Sequence, residues 1–370
     1  MVTAAAPVPG SVPVLRVRPT AAAAADPPAD PHYLPADPAN LLRADPSRRQ
    51  PVRFRSAGLM LAGDLYRPRT AAAGERTPGI VMCGPFSSVK EQTLPHYAER
   101  FADAGYTVLT FDPRTFGESE GEPRQHHIPS EVIDDFANGV NYLMGRDDID
   151  PERVAVVGVC LGGGYAVHVG ALDKRVRAVA SIAGGFSTGG TFQQFMGVDA
   201  YAGYVGQINA VLMQEYGDGE RRYIPVTAPG ITAEAPLVAM PNAEAYSYYT
   251  RTGAADAPRW ENRITVGSLH HFLMFNAVAH AALVAPAPLL IIHGTTDMVL
   301  LPELAQQAYD AAVGPKELIW IDTHNHIELY DHDPYVSIAA ARTIAWLDRQ
   351  MGREQPRAAE DVALSRGAAA

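Results

Sequence analysis

The amino-acid sequence predicts an α/β fold with a mostly parallel central sheet and helices on both faces. Over residues 52–350, short apolar segments alternate with longer segments of helical periodicity. This alternation is typical of successive strand and helix units. The regular spacing fails over 185–285, a stretch rich in aromatic residues and methionine. We therefore expect one α/β core that carries a large insertion.

The predicted elements follow in chain order. A hairpin at 52–68 turns at Ser56, Ala57 and Gly58. Further strands are predicted in short apolar segments at 79–83, 107–112, 153–157, 177–182, 288–293 and 317–322. Helices bounded by Gly, Pro, Asp or Ser are predicted at 93–105, 130–145, 163–173, 303–313 and 334–350.

The same pattern divides the chain into five parts. Residues 1–50 lack any hydrophobic period and predict a disordered or loosely draped N-terminal arm, and 352–370 predict a flexible tail. The α/β core takes up 51–184 and 286–351. The insertion at 185–285 follows a late strand, so we expect it to lie over the carboxyl ends of the strands, where such sheets bind ligands. We interpret it as a cap.

Composition excludes several classes of function. The net charge of −11 argues against nucleic acid and against an anionic membrane surface. The two cysteines, Cys83 and Cys160, do not make a disulfide framework, and no apolar run is long enough for a membrane span. The first residues lack the basic and apolar segments of a signal peptide, so the predicted location is cytoplasmic.

Cys160 follows the apolar segment Val154–Val157, inside the turn Gly158-Val159-Cys160-Leu161-Gly162. Small residues two before and two after a nucleophile permit the tight turn of a nucleophile elbow, here with Cys in place of Ser. The helix that follows points its amino terminus at the sulfur, which favours a thiolate. A buried, inert cysteine is the alternative, and the strand, helix and glycines favour catalysis.

Such a nucleophile needs an acid and a histidine, which follow it in that chain order in this kind of fold. Asp297 comes just after the strand 288–293, and His324 and His326 come just after the last strand. Asp297 would fix the tautomer of the imidazole, and the histidine would take and return the proton. We choose His326 as the base and keep His324 as the alternative. For Asp297, the alternative is a turn-forming residue.

The oxyanion of an acyl-transfer intermediate needs two backbone N–H donors. Leu161, directly after the nucleophile, is the first candidate. The second comes from the loop after the strand 79–83, where Pro85 has no N–H and Phe86 is therefore the predicted donor. Cys83, at the end of that strand, is interpreted as a packing residue.

A metal site is the competing interpretation of the histidines near the C-terminus. His324 and His326 alternate in an extended segment and share a face, with His332 and Asp333 nearby. No other cluster of ligands supports a metal. We therefore predict neither a metal nor a cofactor.

Four stretches together carry a family resemblance: GVCLGG, CGPFSSVKEQ, FDPRTFGESEGEPRQ and THNHIELYD. They resemble α/β-hydrolase fold proteins of the dienelactone-hydrolase-like branch. More closely, they are similar to bacterial hydrolases and fungal polyketide transferases with a GxC nucleophile motif. The resemblance covers about 52–350. It implies Cys160 as nucleophile, Asp297 as acid and His326 as base, since HIELYD matches the His-x-x-Leu-Tyr-Asp ending of the family.

The resemblance also implies that Asp112 and Arg114 hold a loop beside the site. A cysteine nucleophile forms a thioester, so it favours activated acyl donors. The leading hypothesis is a hydrolase that cleaves an activated ester, lactone or thioester through an acyl-enzyme. The alternatives are an acyltransferase or cyclase, for example in polyketide biosynthesis, and a catalytically silent binding protein. The expected partner is a small-molecule acyl substrate, either free or bound to a carrier protein, and a homodimer stays open.

Overall fold

A computed structural model gives the fold and describes residues 14–15, 38–69, 74–232 and 237–353. Most of the predicted N-terminal arm, and the tail beyond Arg353, lie outside the described residues. The described end of the arm contains two short 3-10 helices, Pro38–Asn40 and Pro46–Arg48. It lies against the core, because Leu41 bridges to His332 and Arg48 forms an ion pair with Asp103.

Apart from a two-residue strand at 14–15, in the predicted N-terminal arm, the elements before the insertion follow the predicted order. The strands are β1 (Val14–Leu15), β2 (Gln50–Ser56), β3 (Leu59–Tyr66), β4 (Thr77–Cys83), β5 (Thr107–Phe111), β6 (Ile149–Val159) and β7 (Ala178–Ile182). The helices are α1 (Leu94–Asp103), α2 (Pro129–Met144) and α3 (Leu161–Leu172). α3 begins two residues earlier than predicted.

The residues between β7 and β12, numbered 183–288, are called the insertion segment below. Its helices are α4 (Thr188–Met196), α5 (Val198–Asp218), α6 (Ala243–Ala255), α7 (Val266–Leu273) and α8 (Val278–Ala281). Its strands are β8 (Tyr223–Ile224), β9 (Thr227–Ala228), β10 (Met240–Pro241) and β11 (Ile264–Thr265). The division into a core and a cap domain at 185 and 285 stays a prediction.

The core then resumes with β12 (Leu289–Gly294), α9 (Pro302–Ala311), β13 (Lys316–Ile321), α10 (Glu328–Asp331) and α11 (Tyr335–Gln350). The central sheet has the strand order β1-β13-β12-β7-β6-β4-β5-β3-β2. Only the pairs β2 with β3 and β3 with β5 are antiparallel. The sheet is therefore mostly parallel, which confirms the predicted fold class.

The middle of the sheet is apolar on both faces, as a covered parallel sheet requires. Every residue of β4 is buried, and so are the last six residues of β6. Helix α1 packs with α11, and α2 packs with α3, so helices cover both faces of the sheet. None of the helices in the described ranges is long and apolar enough to cross a membrane.

Candidate active site

Cys160 is the single residue between the end of β6 and the start of α3. Its backbone adopts φ 58° and ψ −129°, a left-handed conformation that is costly for a residue with a Cβ. A Cβ at Gly158 would overlap the carbonyl of Gly162, and a Cβ at Gly162 would overlap the carbonyl of Cys83. Both glycines of the predicted elbow are therefore sterically required. The turn places Cys160 at the amino terminus of α3.

Asp297 and His326 lie together at the carboxyl edge of the sheet. Nδ1 of His326 is 2.5 Å from Oδ2 of Asp297. The other carboxylate oxygen, Oδ1, accepts the backbone N–H groups of Val299 at 2.8 Å and Leu300 at 2.7 Å. Both side chains are buried. The carboxylate is thus held by its own loop and in turn fixes the orientation of the imidazole.

The electrostatics of this pair favour a charged imidazole. Burial alone would lower the pKa of His326, but the charge and hydrogen bond of Asp297, together with Cys160, raise it well above its ordinary value. Burial alone would raise the pKa of Asp297, but His326 lowers it below its ordinary value.

His324, the alternative base, faces a different carboxylate. Its Nδ1 is 3.2 Å from Oε1 of Glu328, and its backbone N–H donates to Oε2 of the same residue at 2.8 Å. The side chain of His324 is 55% exposed, whereas that of His326 is fully buried. Nowhere in the described part of the chain do three or more His, Cys, Asp or Glu side chains form a group that could hold a metal ion.

The two predicted oxyanion donors flank the elbow. The backbone N–H of Gly162 donates to the carbonyl of Gly84 at 3.1 Å, which ties the loop after β4 to the first turn of α3. Within the described residues, neither Phe86 nor Leu161 uses its N–H for a backbone partner. The carbonyl of Phe86 instead accepts the hydroxyl of Tyr249 at 2.8 Å. Their role as donors to an oxyanion stays a prediction from the sequence.

Helix α6 of the insertion segment fixes this same loop. Besides the bond from Tyr249, the hydroxyls of Thr93 and Tyr248 lie 2.6 Å apart. The side-chain amide of Gln92 donates to the hydroxyl of Thr252 at 2.8 Å. Three hydrogen bonds therefore connect one face of α6 to the loop that carries Phe86.

The loop after β5 is tied to the loop after β4 and to α2. Asp112 accepts the backbone N–H of Lys90 at 2.7 Å and that of Glu118 at 2.9 Å. Burial raises the pKa of Asp112 to about 6, although the charge of Lys90 opposes this rise. Arg114 forms an ion pair with the buried Asp135 at 2.7 Å. These contacts agree with the structural role that the resemblance implied.

Two residues at the site were not anticipated from the sequence. The hydroxyl of Tyr330 is 3.0 Å from Nε2 of His326. Its signal was present, because residues four apart share one face of a helical turn. The carboxyl group of Glu244, in α6, accepts the backbone N–H of Ile327 at 2.7 Å, and burial raises its pKa to about 7. Glu244 and Ile327 are far apart in the chain, so no local pattern joins them.

An apolar cavity lies beside the acid loop. It has a volume of about 260 Å³. Its lining comes from α4, from the residues before α6 and from the two residues after Asp297: Thr191, Phe192, Phe195, Met196, Met240, Pro241, Asn242, Met298 and Val299. A larger cavity of about 750 Å³ lies at the opposite, amino-terminal ends of β6, β7 and β12 and contains none of the predicted site residues. Of these two cavities, the smaller adjoins the predicted site.

Comparison with known proteins places this architecture in a family. The family model of the X-Pro dipeptidyl-peptidases (S15 family) matches residues 57–328. The chain belongs to this family. It is 30% identical over 282 residues to the uncharacterised protein PA2218 of Pseudomonas aeruginosa, covering 74% of this chain and 73% of that protein. The crystal structure of PA2218 superposes with a TM-score of 0.71 at 28% identity, covering 82% of this chain and 93% of the other.

Two fungal relatives carry functional names. Thiohydrolase aneE of Aspergillus aculeatus is 29% identical, with 73% of this chain and 83% of that protein covered. Polyketide transferase claH of Penicillium crustosum is 26% identical, with coverages of 70% and 84%. These similarities confirm the α/β-hydrolase resemblance. The S15 protein is therefore an enzyme of the hydrolase and acyl-transfer type, and the alternative of a silent binding protein finds no support.

Proposed function

We propose that this S15-family enzyme performs covalent acyl chemistry on an activated ester, lactone or thioester, with Cys160 as nucleophile, His326 as base and Asp297 as the acid that orients it. The observation that carries the proposal is the buried Asp297–His326 pair, whose imidazole has a raised pKa beside the cysteine of a nucleophile elbow. In this proposal His326 accepts the proton of Cys160, so that a thiolate attacks the substrate. The amino terminus of α3 adds a favourable dipole at the sulfur.

The acylation step follows from these positions. The thiolate of Cys160 attacks the acyl carbon, and the carbonyl oxygen gains a negative charge. The N–H groups of Leu161 and Phe86 are the proposed donors to this oxyanion. The carbon–oxygen or carbon–sulfur bond of the substrate then breaks, and Nε2 of His326 gives its proton to the leaving group. The product is an acyl thioester on Cys160.

The sulfur nucleophile limits the substrate class. Attack on an ordinary alkyl ester replaces a stable acyl group by a more reactive thioester, so the first step tends to reverse. Attack on another thioester is nearly an even exchange, and an enol lactone supplies a good leaving group. The name of the relative thiohydrolase aneE agrees with thioester cleavage. The cavity beside Asp297, with its Phe and Met lining, suits an apolar acyl group.

Transfer to a bound acceptor is the second candidate, with the same acyl-enzyme. Cys160 is only 4% exposed, so water has little access to the acyl carbon. The name of the relative polyketide transferase claH points to the same outcome. A carrier protein that delivers the acyl group belongs to this second candidate. A homodimer stays a prediction from the sequence.

Substitution of the nucleophile and the base tests the proposal. We expect Cys160→Ala and His326→Ala each to lower kcat/KM on an acyl thioester at least about a thousandfold. Cys83→Ala is the matched control, because it removes the other sulfur, and we expect it to keep activity. A substrate series with the same acyl group should give rates in the order thioester, oxygen ester, X-Pro peptide amide.

Intact-mass spectrometry separates the two candidates. An acyl adduct should accumulate on Cys160 and be absent from Cys160→Ala. Its decay in water alone, compared with its decay in the presence of a thiol, alcohol or amine acceptor, measures hydrolysis against transfer. Turnover by Cys160→Ala, or the lack of any adduct, would refute the acyl-cysteine proposal.

A further inference from the structure

The hydroxyl of Tyr330 contacts the imidazole of the proposed base. It is 3.0 Å from Nε2 of His326, and the two rings meet edge to face with centroids 4.9 Å apart. Burial raises the pKa of Tyr330 well above its ordinary value, and the charge and hydrogen bond of Cys160 raise it further. The phenol therefore keeps its proton and remains a hydrogen-bond donor at the pH of catalysis.

Contacts of the ring and backbone hold this hydroxyl in place. The ring packs edge to face against Tyr248 at a centroid distance of 4.9 Å. The backbone N–H of Tyr330 donates to the carbonyl of Ile327 at 2.8 Å, and the carbonyl of Leu329 accepts the hydroxyl of Tyr97 at 2.7 Å. Tyr330 is only 2% exposed. Its hydroxyl thus faces Nε2 of His326 rather than solvent.

We propose that Tyr330 is a shared donor that serves Cys160 in the free enzyme and His326 in the acyl-enzyme; this inference rests on the acyl-cysteine chemistry proposed above. In the free enzyme the cysteine proton is on Nε2, and the phenol donates a hydrogen bond to the thiolate. After acylation the sulfur is bonded to the acyl carbon and has lost its negative charge. Nε2 has given its proton to the leaving group, so the phenol donates to Nε2 instead.

The hydrogen bond from Tyr330 to Nε2 affects whether the acyl group is hydrolysed or transferred. Water must lose a proton to Nε2 in order to hydrolyse the acyl-enzyme, and it competes with Tyr330 for that nitrogen. An acceptor bound by contacts of its own competes better than a water molecule does, because it is already positioned. Tyr330 therefore slows hydrolysis and favours transfer. The structure thus supplies a residue that biases the choice between the two candidate reactions.

Other titratable groups face the same site from each neighbouring element. They are Glu244, Tyr248 and Tyr249 from α6, His293 and Asp297 from β12 and its following loop, Cys83 from β4 and Tyr165 from α3. We expect all of them to keep their positions when a single hydroxyl is removed from Tyr330. A shift in the ionisation of Cys160 on that change is therefore a property of the hydroxyl.

The test uses Tyr330→Phe, which keeps the ring. The ionisation of Cys160 is followed by the ultraviolet absorbance of the thiolate, as the difference from the same protein that also carries Cys160→Ala. Loss of one hydrogen bond to a charged group should raise the pKa of Cys160 by about one to two pH units. The acyl adduct on Cys160, timed by intact mass in water alone, should decay several-fold faster than in the unaltered protein.

Tyr248→Phe is the matched control. It removes a buried hydroxyl that pairs with Thr93, from the ring that packs against Tyr330, and we expect no shift in the ionisation of Cys160. A titration of Tyr330→Phe that overlays that of the unaltered protein overturns the inference. An adduct lifetime equal to or longer than that of the unaltered protein also overturns it. The lifetime measurement requires an adduct to be present, so failure of the proposed function is recognised separately by the absence of the adduct.

Discussion

Gly158 and Gly162 determine whether Cys160 can occupy its position at the end of β6. Neither glycine needs a positive φ; what each of them lacks is room for a Cβ, because a backbone carbonyl occupies that space. The strained residue is Cys160 itself, which lies between the two glycines in the chain and has a left-handed φ. Backbone atoms cannot move aside as a flexible side chain does. The sequence pattern around the cysteine therefore reports a geometric requirement of the turn.

This argument predicts the effect of Gly158→Ala. The added methyl group must displace the backbone of the elbow, so we expect a loss of about 2–4 kcal/mol in the free energy of unfolding, measured by urea denaturation. Activity on an acyl thioester should fall with it, because Cys160 moves relative to His326. Gly203→Ala in α5 is the control, since no atom lies within 4 Å of its added Cβ. Equal stability of the two variants would contradict the steric argument.

Among the elements, α6 links the insertion segment to the chemistry. Its tyrosines contact the loop that carries Phe86, and its first turn contributes Glu244 to the backbone after β13. The α6 sequence AEAYSYYTRTGAA shows no catalytic motif. Its partners are distant in the chain, so the role of α6 became visible only when the tertiary contacts were known.

Tyr249→Phe tests this link. The carbonyl of Phe86 loses its donor, and a buried group without a partner costs about 1–3 kcal/mol. We expect kcat on an acyl thioester to fall about tenfold, because the loop no longer holds the N–H of Phe86 on the oxyanion. Hydrogen exchange should quicken in residues 84–93.

A matched control exists for this substitution. Tyr204 in α5 donates its hydroxyl to the carbonyl of Val238 at 2.8 Å, and it is buried as Tyr249 is. Tyr204→Phe should therefore cost similar stability without the loss in kcat. If both variants lowered kcat equally, the effect of Tyr249→Phe would be one of general stability.

Across the whole molecule, the strands and helices that the sequence predicts are those that local residue patterns specify. The strands of the core and the helices on them fall within a few residues of the predicted ranges, because apolar periodicity and terminating residues act locally. Helix α3 begins at Leu161, two residues before the predicted start at 163, because Leu161 and Gly162 belong both to the elbow turn and to the first turn of the helix, where Gly163 and Gly164 follow them. In the fold these glycines permit close helix packing, and a Cβ at Gly164 would overlap the carbonyl of Gly185.

The candidate site also contains residues that local sequence patterns predict and residues that they do not. The chain order of acid and histidine pointed to Asp297 and His326, and the structure brings these two together. Tyr330 has a local signal in the sequence, namely its spacing of four from His326. Glu244 had none, since its contact with Ile327 joins the insertion segment to the end of the core. Local sequence patterns do not predict long-range polar contacts of this kind; the three-dimensional structure reveals them.

The contact of Glu244 predicts how the stability of the whole fold varies with pH. Its carboxyl group has an ordinary pKa of 4.5, and burial raises this to about 7 in the folded protein, although the charge of His326 opposes the rise. At pH values below 4.5, both the folded and the unfolded state keep the proton. As the pH rises to 7, the carboxyl group ionises first in the unfolded state. The free energy of unfolding therefore falls by about 3 kcal/mol.

Glu244→Gln removes this loss, because the amide cannot ionise and its oxygen still accepts the N–H of Ile327. The difference in free energy of unfolding between variant and unaltered protein, from urea denaturation, should shift in favour of the variant by about 3 kcal/mol between pH 4.5 and pH 7 and then stay constant. Glu220→Gln, at an exposed position, is the matched control. A difference for Glu244→Gln that does not change with pH would show that this carboxyl group ionises in the folded protein as readily as in the unfolded chain.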